Sequence, residues 1–544
     1  MEPSVFEDTF ARDNLPPEHE WPEFLPAKPP LHYSRRLNAA AAFLDANVAR
    51  GFGERPAIVT PARRLSYAEL LAEANRVAGV LRDDLRLQTG SRVLLHGSND
   101  ATTAACWFGI LKAGCIAVTT MPLLRAKELT DVISQARVCA ALADARLAPE
   151  LSTAAARCPE LAQIVWFGET GPTDSLERRA QSRPAAFDNA DTAADDVALI
   201  AFTSGTTGKP KATMHFHRDV LAICDAFPPA HLHTTPDDVF CGTPPLGFTF
   251  GLGALLLFPL RAGACAVLLE SAPPDVLLDA IARYGATICS TSPTAYRAMT
   301  PLASSHDLRS LRTCVSAGEA LPAATRLTWE TATGTRIVDG IGATEMLHIF
   351  ISASGDGVRP GATGKPVPGY VAAVLDEDGR ALPPGSAGRL AVKGPTGCRY
   401  LADERQRQYV QNGWNVTGDA YLMDEDGYYW YQARTDDMIV SSGYNIAGPE
   451  VEDALLVHEA VEECAVVGAP DDERGTIVKA FVVLRDGFAR DAATVRTLQD
   501  HAKTAIAPYK YPRAIEFVDA LPRTETGKLQ RFKLRAGNAP GGRP

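Results

Sequence analysis

Several things are missing from this chain, and most of them remove a class of function. Positive charge is not in excess. The formal net charge is −11, which argues against general binding to nucleic acid or to an anionic membrane. No long apolar run is unbroken. The greasiest window, Phe248 to Leu269, is interrupted by Pro259 and Arg261, so it reads as buried core rather than a membrane span. The start, Met1-Glu2-Pro3, is acidic and has no apolar leader region, so no secretory signal is expected. A C-x-x-C pair is also absent. The eleven cysteines are scattered, and apolar-flanked ones such as Cys265 and Cys289 read as reduced core residues of a cytoplasmic protein. The pairs His215/His217 and His231/His233 have no Cys or His cluster to complete a site, so no transition metal is expected. Internal repeats and low-complexity tracts are lacking as well.

What is present is a long, apolar chain: 544 residues, 46% hydrophobic, enough for two or more domains. From about residue 60 to 200 strand-like runs alternate with helical patterns. Arg92 to Leu95 reads as a strand, Thr102 to Lys112 as a helix, and Gly114 to Val118 as the next strand. Asp275 to Tyr284 (helix), Thr287 to Ser290 and Arg312 to Ser316 (strands) repeat the rhythm. This predicts βαβ units and a mainly parallel sheet. Residues 170–195 read as a surface loop. After about residue 370 the runs become short and β-like: Val371 to Leu375, Gly388 to Lys393, Tyr428 to Tyr431. A small α+β end begins near Asp436. It holds a helix at Pro449 to Leu456 with Pro in its first turn, strands at Glu463 to Val467 and Lys479 to Leu484, and a helix at Val495 to Ala505.

The most telling segment is Thr203-Ser204-Gly205-Thr206-Thr207-Gly208-Lys209-Pro210-Lys211, entered from the strand-like run Val197 to Phe202. Glycine tolerates positive φ and lets backbone close around a bulky anion. Successive amides form an anion nest, to which hydroxyls add donors and lysines add charge. The segment reads as a polyphosphate loop. It is not a Walker A loop, which requires G-x-x-x-x-G-K-[ST]: Thr203 stands at the first Gly and Pro210 at the Ser/Thr.

Four further segments each have a plain structural reading when taken alone. Gly340-Ile341-Gly342-Ala343-Thr344-Glu345 is a second glycine-rich turn. Its carboxylate suits Mg²⁺ beside a triphosphate, or equally the first turn of a capped helix. Thr417-Gly418-Asp419 offers an acceptor for ribose hydroxyls, or a simple Asp turn. Arg434-Thr435-Asp436-Asp437 with Ser441-Ser442-Gly443-Tyr444 reads as an interdomain link or as solvated surface. Pro522-Arg523-Thr524-Glu525-Thr526-Gly527-Lys528 places a lysine after a Thr- and Gly-containing turn near the end.

In this order on one chain, the five segments resemble the adenylate-forming superfamily of acyl-CoA synthetases, adenylation domains and luciferases. The likeness runs from about residue 30 to Lys528. The stretch Asp339 to Phe350 (Asp-Gly-Ile-Gly-Ala-Thr-Glu-Met-Leu-His-Ile-Phe), with Leu246 to Gly253, looks like the benzoate branch of aryl-CoA ligases. Thr9 to Pro17 and Trp21-Pro22 look most like 2-aminobenzoate–CoA ligases. Two departures stand out. Many relatives carry an aromatic residue and a Ser in the second glycine turn, where this chain has Ile341, Gly342 and Ala343. Many carry a lysine after Ile where this chain reads Met438-Ile439-Val440.

The resemblance implies an α/β fold. A large N-terminal adenylate-forming domain (1–434) has parallel sheets sandwiched by helices and a β-rich subdomain at about 366–434. A small, mobile α+β C-terminal domain spans 435–544. It implies ATP, Mg²⁺ and coenzyme A, and an aromatic carboxylic acid as partner, 2-aminobenzoate ahead of benzoate. A medium-chain acyl-CoA ligase or a carrier-loading adenylation enzyme is the alternative. By residue, Thr203, Ser204, Gly205, Thr206, Thr207, Gly208 and Lys209, running on to Lys211, would hold the β- and γ-phosphates. Glu345 would hold Mg²⁺ and Thr344 would contact the α-phosphate. Gly318, Glu319, Ala320, Asp339, Gly340 and Ile341 would line the adenine site. Asp419 and Arg434 would hold the ribose. Lys528 would bridge the acid and the α-phosphate. Asp436 matches the hinge that would swing Gly443 and Tyr444 in for the thiol step. Phe248, Phe250, Ala317, Ile341, Met346 and His348 would line the acid pocket. Lys528 is also a candidate for a lysine acetyltransferase, since neutralising it removes its charge. A homodimer is compatible with the chain.

Overall fold

The computed structural model describes residues 2–25, 31–168, 174–203, 210–434, 437, 439–441, 444–471, 475–506, 510–523 and 529–536. Its first sheet has six strands in the order Gln163–Phe167, Ala140–Asp144, Arg92–His96, Ile116–Thr120, Val197–Thr203, Lys211–Phe216. The first five run parallel and the last is antiparallel. Arg92–His96, Ile116–Thr120 and Ala140–Asp144 are buried at every position, as strands covered by helices on both faces must be. The second sheet has nine strands. Its parallel centre runs Ile337–Gly342, Thr313–Ser316, Ile288–Thr291, Val239–Gly242, Cys265–Val267, Pro56–Val59.

Helices fill the space around these sheets. Tyr67–Gly79 opens with a reciprocal capping box between Ser66 and Glu69, which satisfies two of its free amides. It crosses Ala101–Lys112 at Gly109, where a Cβ would lie 2.6 Å from Val77 Cβ and 2.9 Å from the Ala74 carbonyl. The expected strand at Gly114 to Val118 starts two residues later, at Ile116. Gly114 adopts φ +73 and the Cys115 amide still donates to Ile110 O, so these residues complete the helix end. The stretch 170–195 holds a short helix, Leu176–Gln181, rather than loop alone. It forms because Leu176 is buried in the main core, while Glu177 accepts from the Gly168 amide. All eleven cysteines are free thiols, ten buried and Cys139 partly so.

A five-stranded β-rich sheet follows, built from Val371–Leu375, Ala387–Lys393, Trp414–Met423, Val410–Gln411 and Tyr429–Arg434. Near the end, Val461–Asp471, Gly475–Leu484 and Ala514–Phe517 form a three-stranded sheet. Its alternation decides its covering. Cys464, Val466, Ala480 and Val482 pack with helices Gly448–Leu456 and Ala492–Ala505, whereas Ala465, Val467 and Phe481 pack with Leu521 and Leu534. Among the described residues no helix is long and apolar enough to cross a membrane. The run from Phe248 forms helices Thr249–Leu252, Gly253–Leu257 and Phe258–Ala262 inside the core.

Candidate active site

Parallel sheets deliver their strand ends, and the loops after them, to one side of the molecule. Thr203 ends its strand and lies opposite Lys211 in the ladder. Ser204, Gly205, Thr206, Thr207, Gly208 and Lys209 lie outside the described residues, as do Asp436, Gly443 and Lys528. Lys211 Nζ donates to the Tyr400 hydroxyl at 3.4 Å, and that hydroxyl donates to Glu345 Oε1 at 2.5 Å. A Lys211–Tyr400–Glu345 chain therefore joins the end of the first glycine-rich loop to the carboxylate of the second.

Tyr400 had no sequence signal, and pairing places it. The Met214 amide donates to Arg399 O and the Leu401 amide to Ala212 O, which lays residues 399–401 beside Lys211–Phe216. Arg399 is fully buried against Asp219, 2.7 Å away, and its guanidinium lies 3.8 Å from the Phe216 ring centroid. The Arg399–Asp219 pair locks this register from below.

Thr344 and Glu345 occupy a single 3₁₀ turn, Thr344–Met346, following strand Ile337–Gly342. The Thr344 carbonyl accepts from His215 Nε2 at 2.8 Å. A carbonyl can only accept, so the proton sits on Nε2. Burial pushes the His215 pKa down to about 4, keeping the ring neutral. The chain then reverses at Leu347, a buried leucine with φ +69 and ψ −34. That conformation costs about 1–3 kcal/mol, and it stands between Glu345 and His348.

Asp419 and Arg434 are ladder partners, and Arg434 Nη1 donates to Asp419 Oδ1 at 3.1 Å. Burial raises the Asp419 carboxyl pKa, with Arg434 opposing it. Nearby, the Tyr409 hydroxyl is buried without a hydrogen-bond partner, within electrostatic reach of Glu345 and Asp419. Asp339 and Gly340 sit in strand Ile337–Gly342. Asp339 Oδ1 is buried and has no hydrogen-bond partner among the described residues, and burial pushes its carboxyl pKa up to about 7. Gly318 adopts φ +90 two residues after strand Thr313–Ser316. Glu319 turns toward the C-terminal part, accepting from Thr294 Oγ1 at 2.8 Å and pairing with Arg523 at 3.5 Å. Ala320 follows it. Tyr444 begins strand Tyr444–Ile446, paired with Ile439–Ser441.

Among the residues expected to line the acid pocket, Phe248, Phe250 and Ile341 are half-buried, Ala317 and His348 are buried, and Met346 is wholly enclosed in the core. His348 packs against Phe258, Phe250 and Phe227, with ring centroids 4.4, 5.7 and 5.9 Å away. Burial pushes its pKa down to about 3, so it is uncharged. Among the described residues its Nδ1 has no hydrogen-bond partner. Gly253 makes room for it: a Cβ there would lie 2.3 Å from His348 Cδ2. Phe227 and Phe258 were absent from the sequence reading because their spacing matches ordinary core. His231 adds a second uncharged imidazole beside Phe227, with Nδ1 3.2 Å from Ser354 Oγ.

Comparison with known proteins agrees with this arrangement. Residues 45–400 match the AMP-binding enzyme family and residues 450–528 its C-terminal domain. The chain is 37% identical over 514 residues to a benzoate–CoA ligase of Thauera aromatica, covering 93% of this chain and 97% of that one. Its fold is similar to the crystal structure of an anthranilate CoA ligase in complex with anthranoyl-AMP. The TM-score is 0.89 at 37% identity, over 93% of this chain and 98% of that one. A benzoate CoA ligase from Burkholderia xenovorans gives a TM-score of 0.83 at 34% identity, over 92% and 100%. The chain belongs to the AMP-binding, adenylate-forming enzyme family, on the benzoate/2-aminobenzoate–CoA ligase branch of its acid–thiol ligases.

Proposed function

We propose that the protein activates an aromatic carboxylic acid, 2-aminobenzoate or benzoate, as its acyl-adenylate and passes the acyl group to coenzyme A. A carboxylate oxygen attacks the α-phosphorus of ATP and pyrophosphate leaves. The thiolate of coenzyme A then attacks the acyl carbon and AMP leaves. The observation that carries this reading is His348, an uncharged imidazole enclosed by Phe227, Phe250 and Phe258 with a free ring nitrogen. Such a wall suits a flat, neutral ring bearing one hydrogen-bonding substituent. It disfavours a second charge, which would lie buried without a counter-ion.

The remaining roles follow the charges. Lys209 and Lys211 balance the β- and γ-phosphates. Asp339, an orphaned buried acceptor, suits the amino group of adenine. Asp419 and Arg434 suit the ribose. Lys528 bridges the acid and the α-phosphate. Glu345 is a hard oxygen donor held by Tyr400 and fits Mg²⁺, which when bound neutralises phosphate charge. Residues 435–544 act as a small domain turning about Asp436 between the two half-reactions. Exchange of labelled pyrophosphate into ATP, measured over a panel of acids, tests the reading. The expected result is exchange with 2-aminobenzoate and benzoate, and aryl-CoA once coenzyme A is added. Faster exchange with octanoate than with either aryl acid, or transfer only to a carrier protein, overturns it.

A further inference from the structure

One cluster of charges, which reaches the segment proposed for adenine at Glu319, joins the C-terminal part to the large one. Arg523 Nη2 pairs with Glu463 at 3.1 Å, and its Nη1 lies 3.5 Å from Glu319 Oε1. Arg523 also donates to Thr294 Oγ1 at 3.4 Å, and Thr294 Oγ1 donates to Glu319 Oε2 at 2.8 Å. Arg297 pairs with the other oxygen of Glu463. Thr294 and Arg297 share one face of helix Pro293–Met299 at i, i+3 spacing. Positive and negative groups thus alternate, Arg297–Glu463–Arg523–Glu319. The side chains are only 19–29% exposed.

Arg523 borders residues 524–528, which lie outside the described residues. It bridges Leu529 in antiparallel fashion, and the Gln530 amide donates to Pro522 O at 2.8 Å. Leu521 and Leu534 anchor both flanks against Ala465, Val467 and Phe481. Lys528 lies in the sequence between these two paired ends. We propose that Arg523 is a positioning residue for adenylate formation. Paired with Glu463, which Arg297 holds from the other side, it ties the paired ends that flank Lys528 to Glu319, in the segment proposed for adenine. This rests on the ligase reading above. Because the clasp spans the two parts, it must open when the small domain turns, so it supports the first half-reaction and not the second.

The half-reactions are measured separately on Arg523→Gln, Glu463→Gln and the double variant of the full chain. Pyrophosphate exchange should fall about three- to tenfold in each single variant, the range that losing one or two half-buried ion pairs supports. The double variant should fall no further, and aroyl transfer from synthetic aroyl-AMP to coenzyme A should stay within about twofold. Raising salt should lower exchange by the wild type more than by Glu463→Gln, since screening weakens the clasp. Equal losses in both half-reactions, or losses that simply add, overturn the assignment. A wild type without exchange on any aryl acid overturns the ligase reading instead. The clasp is then judged by spin labels on Leu123→Cys and Val457→Cys. Glu463→Gln should broaden their distance distribution, and an unchanged distribution overturns the clasp.

Discussion

Asp339 is the residue whose burial has the clearest consequence in solution. Its folded pKa of about 7 lies above the ordinary carboxyl value of 3.8. Between those values the folded chain holds a proton that the unfolded chain has released, so stability falls as pH rises through the window and levels above it. Asp339→Asn removes the buried charge and keeps a carbonyl acceptor for the proposed adenine contact. Thermal unfolding should show Asp339→Asn more stable than the wild type at pH 8, by an amount on the order of a few kcal/mol, with the gain shrinking toward pH 5. Tyr400 is the other residue with a sharp test. Its hydroxyl makes a charge-assisted bond to Glu345, and such bonds contribute about 1.5–3 kcal/mol. Tyr400→Phe should raise the magnesium–ATP concentration needed for half-maximal exchange about tenfold or more, leaving the KM for the acid nearly unchanged. A titration of ATP binding against Mg²⁺ by calorimetry reads the same shift without turnover.

At the scale of elements, strand pairing builds the site. The segment 399–401 reaches Glu345 only because it lies in register with Lys211–Phe216, and the buried Arg399–Asp219 pair fixes that register. Removing one partner of a buried pair leaves an uncompensated charge and costs about 3–5 kcal/mol, whereas replacing both by apolar groups can be near neutral. Urea unfolding should therefore show Arg399→Ala strongly destabilised, and Asp219→Leu with Arg399→Met much closer to the wild type. The strand and helix positions were legible in the sequence because short apolar runs and period-3.6 patterns are local. The start of Ile116–Thr120 and the helix at Leu176–Gln181 were not. A C-capping glycine and a single buried leucine, rather than periodicity, decide them.

For the whole molecule, the central expectation is that the two half-reactions separate. Lys528→Ala should lower adenylate formation by about 10²–10³, as loss of one preorganised charge does, while aroyl transfer from preformed aroyl-AMP largely survives. Stopped-flow assays of each half distinguish this from a general loss. Asp436→Pro fixes φ at the linker and should slow one half more than the other. If both halves respond alike, the small domain does not turn about that residue.

The sequence alone determined the order of the glycine-rich and acidic segments, and with it the family, because those turns need particular residue types at fixed local spacing. Its alternating strand and helix runs also pointed to a mainly parallel sheet. Only the tertiary structure decided which distant side chains meet: Tyr400 on Glu345, Arg523 on Glu319 and Glu463, three phenylalanines around His348. Those meetings depend on sheet register and on how closely helices and strands can approach, as at Gly253 beside His348. No local pattern of residues encodes either.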